Sequence, residues 1–211
     1  MTKKILQALK DLKQRYGPQG WWPRVIQDPI DPPFEVALGA ILTQNTTWKN
    51  VERALIALAN QDLLTPEALV RASPVQLENA IHSAGYFRQK TKKIKLFSEF
   101  VLQTCAGDLR SLSQMSDKRE RLLHLWGIGP ETADTILLYG LDQPFFVVDS
   151  YTRRWLSHVM QDSIWLTRPY EEVRSFCEMT MPRSIVDWQE AHAVIVQWGK
   201  GSQECLHERI C

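Results

Sequence analysis

Three observations predict an all-α fold. Apolar residues recur at three- and four-residue intervals along nearly the whole chain, Pro with a preceding Ser or Thr stands where helices would start, and only Phe145-Phe146-Val147-Val148 resembles a strand. Four extended residues without a partner run read as a connection rather than a sheet. Ile5, Leu6, Leu9 and Leu12 share one face of a first helix that stops near Gly17-Pro18. Phe34 to Leu42 is an apolar segment rich in small residues, and Val51, Ala54, Leu55 and Leu58 keep helical spacing. Pro66 and Pro74 sit just inside helix starts, with Thr65 and Ser73 as N-caps whose side-chain oxygens accept from early backbone N–H groups. A longer helix from about Arg88 buries Ile94, Phe97, Val101 and Leu102. Ser116 is expected to cap a helix from Asp117 to Leu125 that ends at Gly127, and the next runs from Pro130 to Gly140. Later helices start at Ser150, Pro169 and Asp187. The last carries Trp188, Ala191, Val194, Ile195 and Trp198 and is expected to end before Gly199-Lys200-Gly201.

Composition narrows the classes of function. The chain has 211 residues, 44% of them hydrophobic and 23% charged, enough to bury a full core and too apolar for general disorder. With 25 Lys plus Arg against 24 Asp plus Glu, the net charge is +1, so an argument for nucleic acid must be local. No stretch approaches the roughly 18 apolar residues of a membrane span. The expectation is therefore a cytoplasmic protein, with Cys105, Cys177, Cys205 and Cys211 as reduced thiols. No periodic apolar surface suggests an oligomer, and a monomer is expected.

The sharpest local signal is Leu125-Trp126-Gly127-Ile128-Gly129-Pro130-Glu131-Thr132-Ala133-Asp134. Two glycines flanking one aliphatic residue between helices allow a tight hairpin whose backbone N–H groups suit a nucleic-acid phosphate. A plain helix corner is the alternative reading of that segment alone. Asp149 follows the apolar Phe145–Val148 stretch at a helix start, where a carboxylate can serve as base or electrostatic stabiliser, or simply cap the helix. Arg88, Lys90, Lys92, Lys93 and Lys95 form either a phosphate-tracking patch or a solvated face. Trp21-Trp22, among Gly17, Pro18, Gly20 and Pro23, either line a pocket or plug a loop.

Together, the hairpin and Val148-Asp149-Ser150 resemble the helix-hairpin-helix DNA glycosylases of the endonuclease III superfamily, whose signature runs Leu-Pro-Gly-Val-Gly-Arg-Lys-Thr-Ala and then Val-Asp-Thr. The likeness extends from about Phe34 to the C-terminus. Leu38-Gly39-Ala40-Ile41-Leu42-Thr43-Gln44-Asn45 matches the family's early helix, which implies that Gln44 enters the DNA stack. Ala84-Gly85-Tyr86-Phe87-Arg88 matches the loop that supplies a wedge residue, at Tyr86. The resemblance implies two helical lobes, residues 30–140 ending in the hairpin helices and residues 1–29 with 141–211 carrying Asp149, with a base-binding cleft between them.

Two departures shape the expected activity. Glu131 stands where bifunctional members carry the lysine that attacks the sugar, and a carboxylate forms no Schiff base. The family's iron-sulfur ligands run Cys-x6-Cys-x2-Cys-x5-Cys, and only Cys205 to Cys211 keeps the last interval, so no cluster is expected. Cys205, His207 and Cys211 would need a further ligand such as Cys177 to hold zinc, and an unligated tail is the simpler expectation. Glu131, the Trp-Trp-Pro segment and Thr43-Gln44-Asn45-Thr46 look like the endonuclease III-like 3-methyladenine DNA glycosylases, in which aromatic side chains clamp the extruded base. That likeness implies monofunctional base excision repair of alkylation damage in double-stranded DNA by base flipping. Asp149 would be catalytic, and Trp21, Trp22, Trp48, Glu131 and Lys200 would belong to the base pocket. Gln44, Tyr86, Arg88, Gly127, Gly129 and Thr132 would contact DNA, with a monovalent cation on the hairpin carbonyls as in the family. Trp48, four residues after Gln44, is expected to share its helix face. The alternatives are an adenine or thymine mismatch glycosylase and a non-catalytic DNA-binding protein.

Overall fold

The structure is a computed structural model that describes residues 2–26 and 31–207, with side chains as far as residue 201. In chain order the helices are α1 (Thr2–Tyr16), α2 (Pro32–Leu42), α3 (Trp48–Ala59), α4 (Pro66–Arg71), α5 (Pro74–Ala80), α6 (Phe87–Cys105), α7 (Lys118–Leu123), α8 (Pro130–Thr135), α9 (Ser150–Met160), α10 (Tyr170–Thr180) and α11 (Ile185–His207). Short 3-10 turns add His82–Ala84, Leu109–Gln114 and Ser163–Leu166, and a wide π turn, Ile136–Gly140, continues α8. Among the described residues there is no β-strand, and no helix is long and apolar enough to cross a membrane. The all-α expectation holds.

The chain divides into two compact units, Trp22–Gln143 and Met1–Trp21 with Pro144–Cys211. In the first, α2 is buried over Pro33–Leu42, as a helix apolar on all sides must be. The exception to its apolar character is Glu35, 1% exposed, whose carboxylate accepts from Arg24 Nε at 3.1 Å and from the Val25 and Ile26 amides at 2.7 and 3.2 Å. Those bonds hold the segment just after Trp22. Thr65 and Ser73 cap α4 and α5 by accepting from Ala68 N and Gln76 N. Arg119 donates to both carboxylate oxygens of Asp134, 2.6 and 3.1 Å away, and so ties α7 to α8 across the hairpin.

In the second unit, Ile5, Leu9 and Leu12 of α1, Trp155 and Leu156 of α9, Val173 and Cys177 of α10 and Ala191, Val194 and Ile195 of α11 are buried. Each large aliphatic chain so placed contributes about 1.5–3 kcal/mol. The amides of Gln19 and Gly20 donate to the Glu190 carboxylate, both at 3.0 Å, which fixes the loop that leads to Trp21.

Two predicted boundaries are corrected. Asp117, not Ser116, precedes α7 as N-cap. Helix α11 runs straight through Gly199-Lys200-Gly201. Gly199 is a packing notch there: a Cβ on it would lie 2.0 Å from Tyr151 Cδ1 of α9, so the glycine serves close helix approach and not chain termination.

Candidate active site

Asp149 is the N-cap of α9, with extended backbone (φ −105°, ψ −175°) and a side chain 14% exposed. One carboxylate oxygen, Oδ1, accepts from Thr152 N at 2.7 Å, and Oδ2 lies 3.6 Å from Nε2 of His192 on α11. Burial pushes the carboxyl upward, but the nearby imidazole and the Thr152 amide outweigh it and hold Asp149 below the usual carboxylate range. The group is thus an ionised carboxylate in a largely dry setting. His192, 4% exposed, meets the Trp21 ring edge-on at 5.8 Å and Phe146 at 6.4 Å. Lys200 is exposed, with Nζ 5.8 Å from the centre of the Trp21 ring.

In the other unit the hairpin forms as its glycines require. Gly127 has φ 84°, in the region that penalises a Cβ, and Gly129 is the N-cap of α8 with open space beside it. Ile128 is buried between them. Gln44 Nε2 donates to Gly127 O at 3.1 Å and to Thr132 Oγ1 at 2.9 Å, while its Oε1 accepts from Lys93 Nζ. Glu131 is exposed in the first turn of α8. Tyr86, 64% exposed, stands at the N-cap of α6 in a left-handed conformation (φ 47°) directly after Gly85 (φ 68°). Trp126, half exposed at the hairpin, has Lys92 Nζ 4.2 Å from its ring centre.

The tryptophans of the loop make separate contacts. Trp22 meets Trp48 edge-on at 5.3 Å and Tyr139 at 5.4 Å, and Gly39 makes room, since a Cβ there would sit 3.3 Å from both indoles. Trp48 Nε1 is buried with no hydrogen-bond partner among the described residues. Trp22 and Tyr139 also line a cavity of about 460 Å³ with Arg24 and Arg110 on its wall. Both arginines are already ion-paired, to Glu35 and to Asp31 and Asp108.

Two site expectations are corrected. Gln44 and Trp48 do not share a helix: α2 ends at Leu42, Asn45 turns the chain at φ 54°, and Trp48 opens α3. The five cations of α6 are not one phosphate-tracking patch. Lys90 is 1% exposed and donates to Leu42 O at 2.8 Å and Ala84 O at 2.7 Å, Lys95 donates to Leu69, Val70 and Ala72 carbonyls at the end of α4, and Lys93 holds Gln44. Only Arg88 and Lys92 of the five present exposed side chains. Sequence reasoning passes over His192 and Tyr139, and reads Lys93 only as part of a phosphate-facing or solvated run. His192 was signalled by being the one polar residue in Ala191-His192-Ala193-Val194-Ile195-Val196. Cys177 is fully buried, while the side chains of Cys205, His207 and Cys211 lie outside the described residues.

A hairpin joining two short helices, with a carboxylate at the start of the next long helix, places the chain among helical DNA-repair proteins. It belongs to the HhH-GPD superfamily of base excision DNA repair proteins, whose model matches residues 38–182. It is therefore a DNA glycosylase of base excision repair. A Methanocaldococcus jannaschii protein named as a DNA repair glycosylase is 36% identical over 98% of this chain and 91% of its own length. Endonuclease III of Thermotoga maritima is 28% identical over 80% of this chain and 73% of its own. Among solved structures, the H. pylori 3-methyladenine DNA glycosylase bound to 1,N6-ethenoadenine superposes with a TM-score of 0.78 at 27% identity, covering 95% of this chain and 98% of that one.

Proposed function

We propose that this chain is a monofunctional glycosylase acting as a monomer, which flips alkylated purines such as 3-methyladenine out of double-stranded DNA and excises them, leaving an abasic site. The observation that carries the reading is the ionised Asp149, held by Thr152 and His192 beside the Trp21 indole. As the C1′–N bond breaks, its electron pair goes to the base and neutralises the positive ring, and the sugar becomes oxocarbenium-like. Asp149 stabilises that charge or orients the water whose oxygen then bonds C1′, the water's proton passing to the carboxylate or solvent. A cationic purine is already a good leaving group, so the site needs no acid for the base. Recognition falls to electron-rich rings. Trp21, Trp22 and Trp48 supply indole faces worth about 0.5–2 kcal/mol each toward a cation, and the unpartnered Trp48 N–H is a donor for a base acceptor.

Glu131 at the position of the family's lysine supports a reaction without strand cleavage. The hairpin Gly127–Gly129, Thr132 and Arg88 would lie along the phosphates, with a monovalent cation on the hairpin carbonyls. Gln44 and Tyr86 would occupy the gap left by the flipped nucleotide, and Lys200 would flank Trp21. The outward set of Tyr86 favours that role, because left-handed backbone at the helix start costs energy that an inward ring would have recovered by burial. The test is base release from methylated duplex DNA, scored before and after hot alkali, beside duplexes with an oxidised pyrimidine or an adenine or thymine mismatch. Release of 3-methyladenine with breaks only after alkali supports the reading. Nicks without alkali overturn the monofunctional part, release only from a mismatch overturns the substrate, and binding with no release favours a non-catalytic DNA-binding protein.

A further inference from the structure

Gln44 has one acceptor oxygen and an NH2 donor, and although the Thr132 hydroxyl beside the NH2 can donate or accept, each end also meets one partner whose role is fixed. Gly127 O can only accept, and the Lys93 ammonium can only donate, so a carboxamide flipped by half a turn would face a carbonyl with its oxygen and an ammonium with its NH2. The position of Lys93 is itself fixed. Its methylenes lie along Gly127, where a Cβ would be 2.5 Å from Lys93 Cε and 2.8 Å from Cδ and Cγ. The result joins three segments far apart in sequence: the turn after α2, the side chain from α6, and the hairpin. Burial pushes the Lys93 ammonium below its ordinary pKa, as expected for an internal strut rather than a solvated surface charge.

We propose that Lys93 is a positioning residue that sets the Gln44 carboxamide against the hairpin, so that damaged-site recognition depends on Lys93 through Gln44 and not through a phosphate contact of its own. This rests on the DNA-repair reading above, because it assigns Gln44 to the opened duplex. A phosphate ligand contributes to every duplex alike and steepens the salt dependence of binding, whereas a strut changes only the complex in which Gln44 is used.

The test measures binding to an undamaged duplex and to the same duplex with a tetrahydrofuran abasic analogue, by fluorescence anisotropy over a salt series. The variants are Lys93→Met, Lys93→Arg, Gln44→Ala and the double variant Lys93→Met/Gln44→Ala, with folding checked by circular dichroism. Lys93→Met should lose about tenfold in preference for the abasic duplex, the scale of one charge-assisted hydrogen bond. Its affinity for undamaged duplex and its salt slope should stay as in the wild type, and Lys93→Arg should recover most of the preference. In the Gln44→Ala background the same substitution should have almost no further effect. Equal losses on both duplexes with a slope shallower by about one overturn the proposal in favour of a direct phosphate contact. Additive effects of the two substitutions, or a wild type without abasic preference, also overturn it. Failure of the wild type to release any base would instead sink the functional reading and leave the binding cycle to stand or fall alone.

Discussion

The Asp149 site and the hairpin network are built on opposite plans. Asp149 is set by its own neighbourhood in the chain: an extended residue at a helix start, with Thr152 three residues on supplying the amide, and one distant partner, His192. The hairpin network has no such local frame. Gln44 reaches Gly127 across 83 positions and Lys93 reaches Gln44 across 49. A locally framed group can be altered in charge without moving its frame, while a group held by distant partners loses its place with any one of them. The two sites should therefore respond to substitution in different currencies, rate for the first and placement for the second.

The largest effect tests the first half of that contrast. Asn caps a helix about as well as Asp, so Asp149→Asn removes the charge and keeps the frame. Base release should fall by about 10²–10³-fold, the scale of one preorganised electrostatic group, with thermal stability nearly unchanged. Asp149→Ala should add a loss of about 1 kcal/mol in denaturant unfolding. If Asp149→Asn keeps the wild-type rate of base release, the carboxylate is only a cap. Next comes Lys90, which braces both the end of α2 before Gln44 and the turn before Tyr86. Lys90→Met leaves two buried carbonyls without their partner and should cost about 2 kcal/mol. Burial first, and then the Lys93 charge, lower the Lys90 pKa from 10.5 to about 8. The unfolded chain therefore binds more protons than the folded one between those values, and this site's contribution to stability rises with pH across that window. Urea unfolding should show a larger deficit for Lys90→Met at pH 10 than at pH 7; the reverse order would mean that the buried ammonium is not strained.

How much could be read without coordinates follows the same division. Thr65, Ser73 and Asp149 act within three residues of themselves, so the caps at Thr65 and Ser73 were legible from spacing, while Asp149 was open between a cap and a catalytic carboxylate. The end of α11 was not, because Gly199 carries the same letter whether it stops a helix or admits Tyr151, and only the packing partner distinguishes the two. Lys90, Lys93 and Lys95 looked like a solvated or phosphate-facing run for a similar reason. Their stems cross to carbonyls and an amide on other elements, a choice that sequence periodicity does not encode. Gln44 and Trp48 were placed on one helix by their spacing, and the left-handed Asn45 between them breaks it. The short 3-10 turns at His82–Ala84, Leu109–Gln114 and Ser163–Leu166 have no apolar period long enough to register.

His192 sharpens the comparison because, among the described residues, it is the long-range partner of the Asp149 carboxylate. His192→Leu takes away the imidazole that helps hold Asp149 ionised, so the Asp149 pKa should rise and the acid limb of the rate profile should move to higher pH. The loss should grow as the pH falls and stay smaller near neutrality than for Asp149→Asn, because the carboxylate keeps its charge there and Thr152 still frames it. A uniform loss at every pH, with the limb unmoved, would make His192 a packing residue.

The smallest effect tests whether the hairpin network is organised by its charged end or its neutral one. Thr132→Val keeps the side-chain shape and removes the hydroxyl that accepts from Gln44 Nε2. That bond is neutral, and Gln44 keeps Gly127 O as an acceptor, so the cost should be about 0.5–1.5 kcal/mol in urea unfolding. Preference for an abasic-analogue duplex should fall less than for Lys93→Met, because the ammonium and not the hydroxyl decides which way the carboxamide faces. Should Thr132→Val lose more preference than Lys93→Met, the hydroxyl is the anchor, and the hairpin holds Gln44 through α8 rather than through α6.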